Sequence, residues 1–161
     1  MAAQRGVFTV TLVEEAVTAA NTDYDIFELV PADDRAIELV AFNIGVTGEV
    51  GDAQDETLTI KVSTDFTSSG SGGNTPTPRP LDQRDAAAGF TAETANETVA
   101  TTGTEIVLMC DSMNVRAGGM WIFPPEMRPK VDQADTALYI RMMSTVADTL
   151  TMNATAWVRE L

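Results

Sequence analysis

The chain is 161 residues long, carries ten basic against 24 acidic residues for a net charge of −14, and contains no histidine. That charge balance argues against binding to nucleic-acid phosphates or anionic lipid, which need clustered Lys and Arg. The missing imidazole excludes Ser-His-Asp and Cys-His catalysis, His-built zinc and non-haem iron sites, and with them a cupin-type oxygenase. The apolar fraction of 44% is that of a globular chain, and the length suits one domain burying roughly 70% of its unfolded surface.

The lone cysteine, Cys110, excludes an intrachain disulfide. Inside the apolar run Glu105-Ile-Val-Leu-Met-Cys110 it reads as a buried thiol behaving as a small hydrophobe. A chain without disulfides fits synthesis in a reducing cytoplasm. Met1–Arg5 leads straight into a β-type run with no signal-peptide pattern, and no apolar stretch approaches the roughly 20 residues that cross a bilayer.

In chain order, Gly6 to Val13 is rich in β-branched and aromatic residues and predicts a strand. Glu14 to Ala20 admits a weak helix. Asp23 to Val30 is a second strand, closed by the turn Pro31-Ala-Asp-Asp34, where the Asp side chains serve as turn caps. Ala36 to Val46 is a third. After the polar loop Thr47 to Glu56, Thr57 to Thr64 alternates Leu58, Ile60 and Val62 with Thr59, Lys61 and Ser63, the pattern of a half-buried strand.

The stretch Phe66-Thr-Ser-Ser-Gly-Ser-Gly-Gly-Asn-Thr-Pro-Thr-Pro-Arg-Pro-Leu81 then breaks the β rhythm. Ser68 to Gly73 has the composition of a flexible coil, whereas Thr75 to Pro80 favours an extended polyproline II path. Loops of this length inside a compact domain are usually functional or disordered, so residues 66–92 are expected to form a loop or arm on a single domain spanning 1–161. Asp82 to Gly89 suits one helical turn, and the threonine-rich Thr91 to Gly103 suits a short edge strand near Thr98 to Ala100.

Four more strands are expected, at Thr104 to Asp111, Met120 to Phe123, Thr136 to Thr145 and Leu150 to Val158. Gly118-Gly119 and Pro124-Pro125 bracket the second and place it at a sheet edge, while Val146-Ala-Asp148 has the length of a hairpin loop between the last two. The total of about eight strands, with no intervening long amphipathic helices, predicts an all-β, antiparallel β-sandwich or jelly roll.

Candidate chemistry is sparse. Asp52, Asp55 and Glu56 share a loop and offer oxygen ligands for calcium, but their spacing is not that of an EF-hand. No pair of carboxylates is singled out for glycoside hydrolysis. Neither a catalytic residue nor a cofactor is expected. Trp121, Phe123 and Tyr139 read as core aromatics, with Trp121 the one placed for an exposed edge. Met109, Met113, Met120, Met142 and Met143 read as gap-fillers in the core. The sequons at Asn96 and Asn153 read as chance matches.

The Gly-Val-Phe-Thr-Val-Thr opening, the acidic Thr/Ala/Val-rich strands, the Gly-Ser-Gly-Gly-Asn-Thr-Pro-Thr-Pro-Arg-Pro-Leu-Asp insert and the closing Leu-Thr-Met-Asn-Ala-Thr-Ala-Trp-Val-Arg-Glu-Leu strand together resemble the jelly-roll decoration (cement) proteins of tailed-bacteriophage heads. The resemblance implies a non-enzymatic virion protein, often a homotrimer, that binds the major capsid protein on the capsid exterior and stabilises the shell. It makes Thr75, Pro76, Pro78, Arg79, Pro80, Leu81 and Trp121 the candidate partner-binding residues. Thr75 to Pro80 would span roughly 19 Å as a polyproline II arm. Two rival readings are a virion tail or receptor-binding module that holds carbohydrate on exposed aromatics, and a β-sandwich glycosidase.

Overall fold

Alternation of buried and half-buried residues is strictest in the last strand, where Leu150, Met152, Ala154, Ala156 and Val158 point inward and Thr151, Asn153, Thr155 and Trp157 point outward. Such a period of two lays one apolar face on a core. The computed structural model describes residues 6–18, 21, 23–47, 56–132 and 137–161. Its strands are β1 (Val7–Val17), β2 (Tyr24–Val30), β3 (Ile37–Thr47), β4 (Thr57–Ser68), β5 (Arg79–Pro80), β6 (Thr91–Asn96), β7 (Thr101–Asn114), β8 (Gly119–Ile122), β9 (Lys130–Val131), β10 (Leu138–Met142) and β11 (Leu150–Glu160). A 3-10 turn covers Pro125–Met127.

These strands form two antiparallel sheets. One has the order β5-β1-β11-β3-β8, with β9 also pairing β3, and the other the order β6-β2-β10-β4-β7. Setting aside the edge pieces β5, β6 and β9, the other eight strands divide as first, last, third and sixth against second, seventh, fourth and fifth. That is the jelly-roll arrangement. Phe8, Ile26, Phe27, Leu39, Phe42, Ile60, Leu138, Ile140 and Val158, all fully buried, form the core between the sheets.

The expected β-sandwich and its principal strands are observed, with four corrections. Among the described residues of Glu14 to Ala20 no helix forms: β1 runs on to Val17 through an irregularity between Leu12 and Glu15, with Glu14 at φ 52°. Asp82 to Gly89 forms a turn, closed by Asp85 N–H to Asp82 O at 3.0 Å, in place of a helical turn. The short edge strand lies at Thr91–Asn96 and pairs with β2, while Thr98 makes only an isolated bridge to Ser71.

The fourth concerns the final pair of strands. Instead of a hairpin, β10 pairs with β2 and β4 in one sheet, while β11 pairs with β1 and β3 in the other. Val146, 1% exposed, is buried at the crossing between the sheets. Burial patterns separate the two strands: β11 alternates, but every residue of β10 is buried. The outer face of the β10 sheet is therefore covered as well as its inner face. A second small cluster of Phe66, Ala100, Ala137 and Tyr139, with Val30 beside it, accounts for the cover.

Candidate functional site

The insert lies against its own sandwich and joins the two sheets along one side. It leaves the end of β4, bridges Asn74 to Thr94 on the outer edge of β6 by reciprocal 2.8 Å backbone hydrogen bonds, and then pairs as β5 with β1 (Phe8 with Pro80, Thr9 with Arg79). Leu81 N–H completes this pairing on Val7 O at 2.9 Å. Sheet edges expose unpaired backbone groups that invite further strands, and the insert covers part of two of them, at Thr94 of β6 and at Phe8 and Thr9 of β1. The free arm expected from composition is thus, in the isolated chain, an edge cover.

Its glycines serve close approach. A Cβ on Gly73 would lie 2.1 Å from Thr94 O, and one on Gly70 would lie 2.8 Å from Thr98 O. Neither contact leaves room for a side chain, so a composition that suggests flexibility here packs backbone directly on backbone.

Two buried carboxylates hold the surrounding loops. Glu28, 1% exposed, accepts hydrogen bonds from Ser69 Oγ (2.7 Å), Gly70 N–H (3.0 Å), Asn96 Nδ2 (3.1 Å) and Tyr139 OH (3.4 Å). Asp25 accepts the Nε–H and an Nη2–H of Arg141 and the N–H of Ala100 at 2.7 Å, while Arg141 Nη2 also donates to Ala100 O at 2.8 Å. Arg141 also sits 4.5 Å over the Phe66 ring, which meets Tyr139 edge-on. Burial pushes both carboxyls above their ordinary range. At Asp25 the Arg141 and Ala100 hydrogen bonds oppose it, and at Glu28 the Ser69 and Gly70 hydrogen bonds do.

Residues of alternating register do not normally share a face when three apart. Asp25 and Glu28 do so because the β2–β10 pairing shifts between Ile140 and Arg141, leaving Ile26 as an extra residue. Sequence reading missed these anchors. Their signal was present as two carboxylates inside an otherwise apolar strand, but the partners Ser69, Ala100 and Arg141 are remote in the chain. At the far end of the insert, Glu160 performs the same task, accepting the N–H groups of Gly89 and Phe90.

The candidate partner-binding residues fall into three groups. Thr75, Pro76 and Pro78 line an open groove of about 380 Å³ with Ala88, Phe90 and Ala92 on its opposite wall. Arg79 and Pro80 are occupied in the β1 pairing, and Leu81, 59% exposed, projects just beyond them. Trp121 is on the other side of the molecule, in the edge strand β8. It is half-buried: one face of its ring stacks on Phe42 at 4.6 Å, and its indole N–H donates to Asp111 Oδ2 at 2.8 Å. That hydrogen bond, with the Ser112 N–H, holds the Asp111 carboxyl below its usual range.

Other expectations are corrected on this side. Cys110 is exposed rather than buried, because β7 is the outermost strand of its sheet. Of the five methionines expected in the core, Met113 and Met142 are there and Met109 is half-buried against it, but Met120 and Met143 are exposed. Tyr139 is buried as expected, and Phe123 is half-buried against the core. Among the described residues no group of three or more His, Cys, Asp or Glu is arranged to hold a metal ion, and no helix is long and apolar enough to cross a membrane. The Asp52 and Asp55 of the calcium expectation lie outside the described residues.

No family model matches this chain, and no curated protein matches it. Among solved structures, the VP16–VP17 complex, a complex of the two major capsid proteins of bacteriophage P23-77, aligns over 97% of this chain and 99% of that one, with 10% identity and a TM-score of 0.18. A likeness at that level carries no argument about fold or function.

Proposed function

We propose that the chain is a structural protein of a bacteriophage virion that docks, without catalysis, on the outside of an assembled head and reinforces it. The observation that carries this reading is the groove between the proline-rich insert and Ala88–Phe90. It is open, largely apolar and built on backbone that is already fixed by hydrogen bonds at Glu28, Thr94, Val7 and Glu160. A binding surface held in place before contact loses little ordering entropy when a partner seats on it. The jelly-roll strand order supplies the rigid body that the resemblance to head decoration proteins implies, a fold-level analogy. With a net charge of −14, the exterior of the shell is the compatible face, away from packaged nucleic acid. The major capsid protein is the partner, and synthesis is in the host cytoplasm.

The rival readings have less to stand on. A sugar platform needs a well-exposed aromatic face, and Trp121 is half-buried with one face of its ring on Phe42. A glycosidase needs two carboxylates with access to substrate, whereas Asp25 and Glu28 are buried and engaged in holding loops.

Purified protein should co-sediment with assembled heads of the phage that encodes it and should raise their melting temperature. Thr75→Trp, which fills the groove from its exposed rim, should weaken co-sedimentation roughly tenfold or more, the scale of a well-placed interface residue. Absence of wild-type co-sedimentation and of any melting shift would sink the proposal.

A further inference from the structure

Charge on the outer face of the sheet formed by β2, β10 and β4 is unevenly paired. Lys61 and Arg141 lie opposite each other across β4 and β10, and each has an acid of its own, Glu105 for Lys61 and Asp25 for Arg141. Among the described residues no Lys or Arg pairs with Glu28. Its donors are all neutral: Ser69 Oγ, Gly70 N–H, Asn96 Nδ2 and Tyr139 OH. Asn96 Nδ2 donates also to Glu93 at 3.0 Å, which sets a second acid close by. Neutral hydrogen bonds occupy the lone pairs of a buried carboxylate, but they bring no counter-charge to it.

A cavity of about 310 Å³ opens at this group. Val30, Phe66 and Ala137 give it apolar walls, and Glu28, Ser69 and Tyr139 give it polar ones. The carboxylate is only 1% exposed, so an occupant meets it through the two hydroxyls. An ionised carboxylate accepts and does not donate. Ser69 Oγ and Tyr139 OH therefore aim their protons at Glu28 Oε1, over 2.7 and 3.4 Å. What these hydroxyls show the cavity is lone pairs, and the charge behind them makes them stronger acceptors. Such a lining repels anions and matches a cation that donates hydrogen bonds.

We propose that this cavity receives a primary ammonium on an aliphatic stem, the chemistry of a lysine side chain on a protein partner. The ammonium donates to Ser69 Oγ and Tyr139 OH and supplies the counter-charge that Glu28 lacks. The methylenes of its stem lie along Val30, Phe66 and Ala137, as lysine stems lie along apolar surface elsewhere. Phe66 already tolerates a cation, since the Arg141 guanidinium sits 4.5 Å over its ring. A net charge of −14 favours the approach of a basic partner. The cavity is separate from the groove beside the insert, so the proposal does not rest on shell binding.

Amide NMR shifts of the full chain, at constant ionic strength, test it with capped lysine (Nα-acetyl-lysine methylamide) as the probe. The Ser69 and Gly70 amides should shift saturably, with a dissociation constant in the millimolar range. The Nζ-acetylated probe, which keeps the stem and loses the charge, should leave them unmoved. Glu28→Gln should weaken binding roughly tenfold or more. Ser69→Ala, at an exposed position, removes an acceptor of the ammonium and should weaken it by about as much. Asp148→Asn, beyond the end of β10 remote from Ala137, should bind as wild type does. No saturable shift, equal shifts with the acetylated probe, or wild-type affinity in Glu28→Gln would each overturn the proposal. So would an equal loss in Asp148→Asn, which would make the attraction one of bulk charge. Diaminobutane binding more tightly than capped lysine would mark a site for free amines and overturn the assignment to a lysine side chain. Should Glu28→Gln misfold, Ser69→Ala decides: wild-type affinity in that variant overturns the proposal.

Discussion

Glu28 is the residue on which the covered face of the sandwich turns, since four donors from three separate segments converge on it. Burial holds its folded pKa above the ordinary 4.5. A group whose folded pKa is raised contributes stability that is fully present below the unfolded pKa and is lost as pH rises through the folded one. Glu28→Gln removes that titration. The stability of wild type relative to the variant, from urea unfolding, should therefore fall on going from about pH 4 to neutrality. A difference independent of pH would refute the assignment. The variant's side-chain amide nitrogen is a donor facing donors, so the Gly70 amide should also exchange faster, by roughly tenfold or more. The sequence displayed Glu28 as an acid within an apolar strand, but its burial depends on Ser69, Asn96 and Tyr139, which no local pattern joins to it.

At the scale of the element, the insert carries the lesson. Its serines, glycines and prolines read as a coil followed by a stiff arm, which is what such a composition does in isolation. In the folded chain Gly70 and Gly73 admit backbone contacts that any Cβ would block, and Arg79–Pro80 takes the edge of β1. Limited proteolysis of the isolated protein should accordingly leave residues 68–80 intact under conditions that cut an unfolded control. Gly73→Ala, which cannot be accommodated without moving Thr94, should open this segment to cleavage and lower stability by about 1–3 kcal/mol. Rapid cutting of the wild-type insert would restore the free-arm reading. The long strands, by contrast, were legible, since alternation and β-branched content are properties of neighbouring residues. β6 was missed because Thr91–Asn96 is polar and small, and its strand character comes from pairing with β2 and bridging to Asn74. The exposure of Cys110 and Met120 was hidden for a related reason: hydrophobicity marks a strand without saying whether it is central or outermost.

For the molecule as a whole, the order of strands places β11 at the centre of its sheet. β11 lies between β1 and β3, so its sheet cannot assemble until the last residues have arrived. Pairing elements so distant in sequence carries a loop-closure cost, and refolding is expected on the ms-to-s scale of other non-local β proteins. Removal of residues 150–161 should abolish cooperative unfolding, because it exposes two strand edges and empties the core of Leu150, Met152 and Val158. Circular dichroism with urea titration checks this, and a sigmoidal transition in the truncated chain would contradict it.

By itself the sequence determined the class: an acidic, histidine-free, single-cysteine chain whose local two-residue periodicity admits little but an antiparallel β-sandwich. It determined most strand positions too, because each rests on residues adjacent in the chain. Tertiary structure alone decided which strands share a sheet, that the last two part company, that the insert lies along one side, and that β7 is an outermost strand on the other. Those outcomes depend on contacts between segments tens of residues apart. Pairing registers and edge positions are set there by packing and by the satisfaction of backbone and buried charge, neither of which leaves a trace in local composition.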